Sequence, residues 1–283
     1  MQHRRAGKLA VAWLLALLAL TLAACGGGGS APSTATLTPR PTATRTPTTT
    51  PAPLPSETPP PEPGATPEPT AQPLGSAQVI RSAGTSSMTV TLTFDAGADA
   101  GYTSQILDTL AANGIVAAFG ITGAWAEDNP DLLRRIVNEG HALINHTYDH
   151  SSFTGLSTTR PPLSQAARWE QLDRTEAIVQ QIAGASTLPY FRPPYGDYDD
   201  SVNADVGARG YRYNVMWAID SFGWYGYEAP RIIEKVMNEV SPGAIVIMHV
   251  GSASQDGPAL QRVIDSLEQR GYSFVPLTAI APR

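Results

Sequence analysis

The chain has 283 residues, of which 42% are hydrophobic and 16% charged, with a formal net charge of −6. Residues 26–75 hold 14 of the 25 prolines and no Cys, His, Phe, Trp or Tyr, so this stretch cannot build a core, and a second large domain beside residues 76–283 is excluded. Five of the 19 basic and three of the 25 acidic residues precede that domain, leaving 14 against 22. A net of −8 is the wrong sign for counterion-releasing contact with a phosphate backbone and excludes nucleic acid as a partner.

In chain order, Arg4, Arg5 and Lys8 form a basic head, followed by the apolar run Leu9 to Ala24. A charged head, a short apolar segment and small residues at its end describe an export signal, too short for a comfortable membrane span. Leu22-Ala23-Ala24-Cys25 resembles a bacterial lipobox, which implies cleavage before Cys25 and lipid attachment to its thiol. The expected location is therefore extracytoplasmic, lipid-anchored to a bacterial membrane; a plain secretory signal or an uncleaved anchor is the alternative. Cys25 is the sole cysteine, so the folded domain has no disulfide, no cysteine metal site and no thiol nucleophile. Residues 26–75 read as a disordered Gly/Thr/Pro-rich tether that extends by about 3.1 Å per residue where it adopts polyproline II.

From Met88 onward short apolar runs alternate with amphipathic stretches. The runs are Met88–Phe94, Ile115–Phe119, Ala142–Ile144, Leu188–Phe191, Tyr213–Ile219, Ala244–Met248 and Tyr272–Val275. The predicted helices are Thr103–Ala112, Pro130–Asn138, Ser164–Ile182, Asp199–Ala208, Ala229–Val240 and Gly257–Arg270. This rhythm predicts an α/β fold with a parallel sheet, and seven units in this length favour a closed or nearly closed barrel.

Five of the runs end in a reactive side chain: Asp95, His146, Arg192, Asp220 and His249. The carboxyl ends of parallel strands open onto one face, so these residues are expected to converge. His146 and His150 stand four residues apart, which on a helical turn would bring two imidazoles onto one face, each able to reach a shared ion at about 2.0 Å. His141 begins a strand instead of ending one and reads as structural.

Thr93-Phe94-Asp95-Ala96-Gly97, His146-Thr147-Tyr148-Asp149-His150, Arg192-Pro193-Pro194-Tyr195-Gly196, Asp220-Ser221-Phe222-Gly223-Trp224 and Ile247-Met248-His249 resemble, in order, the five motifs of NodB-type polysaccharide deacetylases, carbohydrate esterase family 4. The resemblance implies a distorted (β/α)7-type barrel and metal-dependent removal of acetyl groups from N-acetylated sugars, with peptidoglycan or a chitin-like polymer as the substrate partner and a monomer as the working unit. Position by position it implies that His146 and His150 hold the metal, zinc first with cobalt, nickel or manganese as alternatives. It makes Asp95 the general base, Arg192 its partner, His249 the general acid and the Tyr195 N–H an oxyanion donor. Trp224 and Tyr195 are candidates to stack on a sugar face.

Two positions depart from the family pattern. Ala96 stands where a second aspartate is the usual third metal ligand, and a methyl cannot ligate; Asp99 or water is expected to complete the shell, unless Asp95 turns to the metal and the base is lost. Gly223 stands where the family often has Asp before Trp, leaving Asp220 as the candidate to hydrogen-bond His249. Two other readings stay open: a glycan-binding module of the same fold that has lost turnover, and an O-acetyl esterase of the xylan type.

Overall fold

The computed structural model describes residues 75–281; the export-signal segment with Cys25 and the proline tract through residue 74 lie outside the described residues. In chain order the elements are β1 (Gln78–Ile80), β2 (Thr89–Ala96), α1 (Thr103–Ala112), β3 (Ala118–Ile121), α2 (Gly123–Asp128), α3 (Pro130–Asn138), β4 (Ala142–Asn145), α4 (Gln165–Ala183) and β5 (Tyr190–Phe191). They continue with α5 (Asp200–Ala208), β6 (Tyr213–Val215), β7 (Ile219–Asp220), α6 (Ala229–Glu239), β8 (Ala244–His249), α7 (Asp256–Gln269), β9 (Ser273–Phe274) and α8 (Leu277–Ile280).

The strands form one parallel sheet in the order β1-β6-β5-β4-β3-β2-β8-β7, with β9 beside the start of β2. The sheet curls until residues just beyond β1 reach β8: Ser82 bridges Ala244 in antiparallel sense, and the Ala83 N–H donates to the Gly243 carbonyl at 2.8 Å. The expected barrel is thus a curled parallel half-barrel whose seam is closed by one short bridge. The predicted run Tyr213–Ile219 is two strands, β6 paired to β1 and β5, and β7 paired to β8. The chain changes neighbours at Met216–Ala218, where the Met216 N–H bonds Ile80 and the Ala218 N–H bonds Ile245.

The strand pleat sorts the side chains of β2. Val90, Leu92, Phe94 and Ala96 enter the main apolar core with Ile106 and Leu110 of α1, Ile232 and Val236 of α6, and Leu260, Val263 and Ile264 of α7. Thr91, Thr93 and Asp95, on the other face, look into the concave side, whose floor is a smaller cluster built on Ala118, Ile144, Tyr190, Val215 and Ile245. Leu277 and Ala281 close that floor, with the Tyr190 hydroxyl donating to the Ala281 carbonyl at 2.6 Å.

Helices α4 and α5 begin where the sequence supplies a cap. Ser164 Oγ accepts from the Ala167 N–H ahead of α4, and Asp199 from the Val202 N–H ahead of α5. Gly184, left-handed at φ 62°, ends α4. β1 and α2 lie outside the predicted elements because three half-exposed residues and a six-residue helix are too short to show a period.

Candidate active site

The carboxyl ends of β2, β4, β7 and β8 open onto one cleft of about 580 Å³, lined by Asp95, His146, His150, Tyr195, Trp217, Asp220, Trp224 and His249 among others. Arg192 lies beneath it, fully buried. Its guanidinium spends one donor on each of three acceptors: Nη1 on Asp95 Oδ1 at 2.6 Å, Nη2 on Thr93 Oγ1 at 3.0 Å and Nε on the Val215 carbonyl at 2.7 Å. Burial pushes the Asp95 pKa up, but the charges of Arg192, His146 and His249 outweigh it and hold the carboxyl below the ordinary aspartate value. Space for this carboxylate depends on Gly120, its β3 neighbour in register, where a Cβ would fall 2.2 Å from Asp95 Oδ1.

His146 Nδ1 lies 2.9 Å from the Arg192 carbonyl oxygen, which can only accept, so Nδ1 carries the proton and the Nε2 lone pair faces the cleft, 3.5 Å from Asp95 Oδ2. His150 meets His146 edge to face, ring centroids 4.8 Å apart, and Tyr195 at 4.7 Å. The four-residue spacing does bring the imidazoles together, but not on a helical turn. Residues 146–150 form a loop with Thr147 and His150 in the left-handed region at φ 66° and 61°.

A β-branched residue at positive φ is strained, and neighbouring groups over-determine the loop. Asn145 Oδ1 accepts from the Thr147 N–H at 3.0 Å, and Gln171 Oε1 accepts from the N–H groups of Tyr148 and Asp149. The loop's own carbonyls at Thr147 and Tyr148 accept from Gly123 and Ala124 at the start of α2. Asn145 and Gln171 are positioning groups that sequence spacing did not reveal, because their partners are backbone atoms of a loop with no period.

Burial lowers the pKa of both imidazoles, that of His150 to about 4, so both rings are neutral near neutral pH. Two neutral imidazoles with a carboxylate beside them are a donor set that suits a borderline divalent cation such as zinc. Among the described residues, however, no group of three or more His, Cys, Asp or Glu side chains is disposed around one ion position. The methyl of Ala96 packs into the helix-side core, on the face of β2 opposite Asp95. Asp99, expected to offer an oxygen, points elsewhere: its carboxylate accepts from the backbone N–H and hydroxyl of Ser252, and it does not line the cleft.

His249 ends β8 directly beside Asp95 in register. Burial alone would lower its pKa, but Asp256, Asp95 and Asp220 carry enough negative charge to raise it above the ordinary histidine value. Asp220 does not bond it. Both Asp220 oxygens accept from Trp224 Nε1, at 3.1 and 3.2 Å, and Oδ1 also accepts from the Phe222 N–H at 2.9 Å. Burial raises the Asp220 pKa despite these donors. The expected contact is absent because the loop turns through a left-handed Phe222 and brings the indole over the carboxylate. Trp224 and Tyr195 stand half out of the surface at the cleft rim, 52% and 53% exposed, and Trp224 leans on the His249 ring at 6.3 Å. A buried carboxylate held ionised beside a histidine whose surroundings favour protonation, both lining one open cleft, is an arrangement suited to hydrolysis.

The polysaccharide deacetylase family model matches residues 82–214. The peptidoglycan-N-acetylglucosamine deacetylase of Bacillus cereus is 31% identical over 194 residues, covering 68% of this chain and 67% of its own length. A chitooligosaccharide deacetylase of Sinorhizobium fredii is 30% identical over 207 residues, covering 67% of this chain and 90% of its own. Among solved structures, BA3943 of Bacillus anthracis, described as a CE4 family pseudoenzyme, superposes with a TM-score of 0.65 at 26% identity, covering 72% of this chain and 69% of that one. The chain belongs to the polysaccharide deacetylase family, carbohydrate esterase family 4, a class of hydrolases.

Proposed function

We propose that this protein removes N-acetyl groups from a cell-wall or related polysaccharide, a peptidoglycan or chitin-like N-acetylglucosamine polymer, at the cleft above β2 and β8. The observation that carries the reading is the paired placement of Asp95, held ionised by Arg192, and His249, whose surroundings favour its protonated form, on adjacent strand ends.

An amide resists hydrolysis because water is a poor nucleophile, the tetrahedral oxyanion is costly and the amine leaves badly. His146 and His150 would hold a divalent cation, zinc first with cobalt, nickel or manganese as alternatives. When bound, the ion supplies water activation and carbonyl polarisation. Asp95 accepts the proton of the attacking water, and the Arg192 guanidinium keeps its carboxylate ionised and aimed. The backbone N–H of Tyr195 donates to the developing oxyanion. His249 gives its proton to the departing amine, so that the products are acetate and the free amino sugar. The rings of Trp224 and Tyr195, exposed at the rim, offer faces on which pyranose C–H groups can pack. Anchored through a lipid on Cys25, outside the cytoplasmic membrane, the monomeric domain would meet such a glycan at the end of its tether.

The purified chain, supplied with zinc or cobalt, should release acetate from N-acetylglucosamine oligomers or peptidoglycan and lose that activity with chelator. Acetylxylan assayed in parallel separates amide from ester cleavage. A second outcome has its own support in Ala96, whose methyl offers no ligand: glycan binding with bound cation but no acetate release would place the protein with the pseudoenzyme and overturn the reading.

A further inference from the structure

Asp256 opens α7 and is fully buried. Its Oδ2 accepts three hydrogen bonds, from Ser221 Oγ at 3.0 Å, Ser254 Oγ at 2.9 Å and the His249 backbone N–H at 2.8 Å. Its Oδ1 has no partner. His249 Nδ1, 3.8 Å from Oδ2, is likewise buried and without a partner. An unpartnered imidazole nitrogen therefore stands 3.8 Å from one oxygen of a buried carboxylate whose other oxygen is itself unpartnered, each costly to leave so in a dry interior.

A carboxylate serving only to start α7 would accept from that helix's own first N–H groups. Every donor to Asp256 comes instead from the segment after β7, from its own approach loop or from the end of β8. The passage it occupies is held open by Gly223, where a Cβ would lie 2.5 Å from both Asp256 Cγ and Ser254 Oγ. The charged and titratable groups around the His249 ring are Asp95 on β2, Asp220 on β7 and Asp256 on α7, with His146 and His150 opposing its charge from the β4 loop. Of the three carboxylates, Asp95 is bound to Arg192 and Asp220 to Trp224; only Asp256 keeps a fully buried oxygen without a partner.

We propose that Asp256 is the positioning residue for His249: its carboxylate accepts the Nδ1 proton of the imidazolium and so holds Nε2 toward the cleft. The inference deepens the assignment of His249 as the proton donor and rests on it for its functional consequence. Asp256 touches no substrate and acts through the imidazole.

The test reads the His249 ring by NMR titration together with the pH profile of kcat/KM. In Asp256→Asn the His249 midpoint should fall by about one unit or more, and the alkaline limb of the profile should move down with it. The double variant Gly223→Asp/Asp256→Gly, which supplies the carboxylate from the facing loop, should bring both back toward wild type. A folded Asp256→Asn protein whose His249 titration stays put overturns the proposal, whether or not its rate falls, because a structural role alone would leave the ring's proton affinity unmoved. Should that variant not fold, the wild-type protein decides: a His249 midpoint at or below the ordinary value of about 6.5 overturns it. If the chain releases no acetate from any glycan, the deacetylase reading fails by itself, while the titration still reports whether the two side chains are coupled.

Discussion

Two cavities of similar size lie at opposite ends of the strands, about 580 Å³ around His249 and about 520 Å³ around His141. Volume does not separate them; the origin of their ionisable groups does. The cleft above the carboxyl ends draws Asp95, His146, Asp220 and His249 from four different strand ends. The other cavity offers a single histidine whose acidic neighbour, Glu139 at 3.6 Å, comes from the same short turn. His141 Nδ1 accepts the Ala117 N–H at 3.1 Å and ties the chain leading into β3 to the start of β4, a structural duty. Burial lowers the His141 pKa and is not overcome, whereas at His249 converging carboxylates overcome it. Convergence of charge from distant sequence, and not concavity, marks the candidate functional end of this sheet.

Breaking the charged end should have the largest effect. Asp95→Asn keeps the shape of the side chain but removes the proposed proton acceptor, and acetate release should fall on the order of 10³-fold in a steady-state assay. Gly120→Ala keeps every charged group and should still cost on the order of 10²-fold, because its Cβ would displace the carboxylate, placed 2.2 Å away, from its aim. Far-UV circular dichroism should show both variants folded.

The smallest effect sharpens the contrast between the two histidines through the pH dependence of stability. His249 has a folded pKa raised above its unfolded value, so its contribution is fully present below about pH 6.5 and is lost as pH rises through the folded value. His141 has a folded pKa below its unfolded value, so the unfolded chain takes up its proton first and stability is lost as pH falls below about 6.5. Between about pH 7.5 and 5.5, the urea midpoint should therefore fall more in His249→Gln than in wild type and less in His141→Gln. His141→Gln should leave acetate release unchanged.

Much of this arrangement was legible in the sequence for definite reasons. Apolar runs ending in Asp95, His146 and His249 announced strand ends, since a parallel sheet buried on both faces needs continuous apolar strands and exposes only their carboxyl ends to a ligand. Helices α1 and α3 match their predicted bounds because each carries a full amphipathic period or a Pro at its start. The positions that departed from family expectation were harder to read. Ala96 looked like a lost ligand, yet the pleat turns its methyl into the helix-side core. Asp99 looked available, yet Ser252, distant in sequence, occupies its carboxylate.

The sequence by itself determined the alternation of strands and helices and the identities of the groups that meet at the strand ends, because periodicity and residue chemistry are local properties. Only the tertiary structure decided which carboxylate serves which partner: Arg192 with Asp95, Trp224 with Asp220, and Asp256 beneath His249 in the space that Gly223 leaves open. Such pairings join residues tens of positions apart, and their strength depends on burial and on competing donors, quantities that exist only once the sheet has curled.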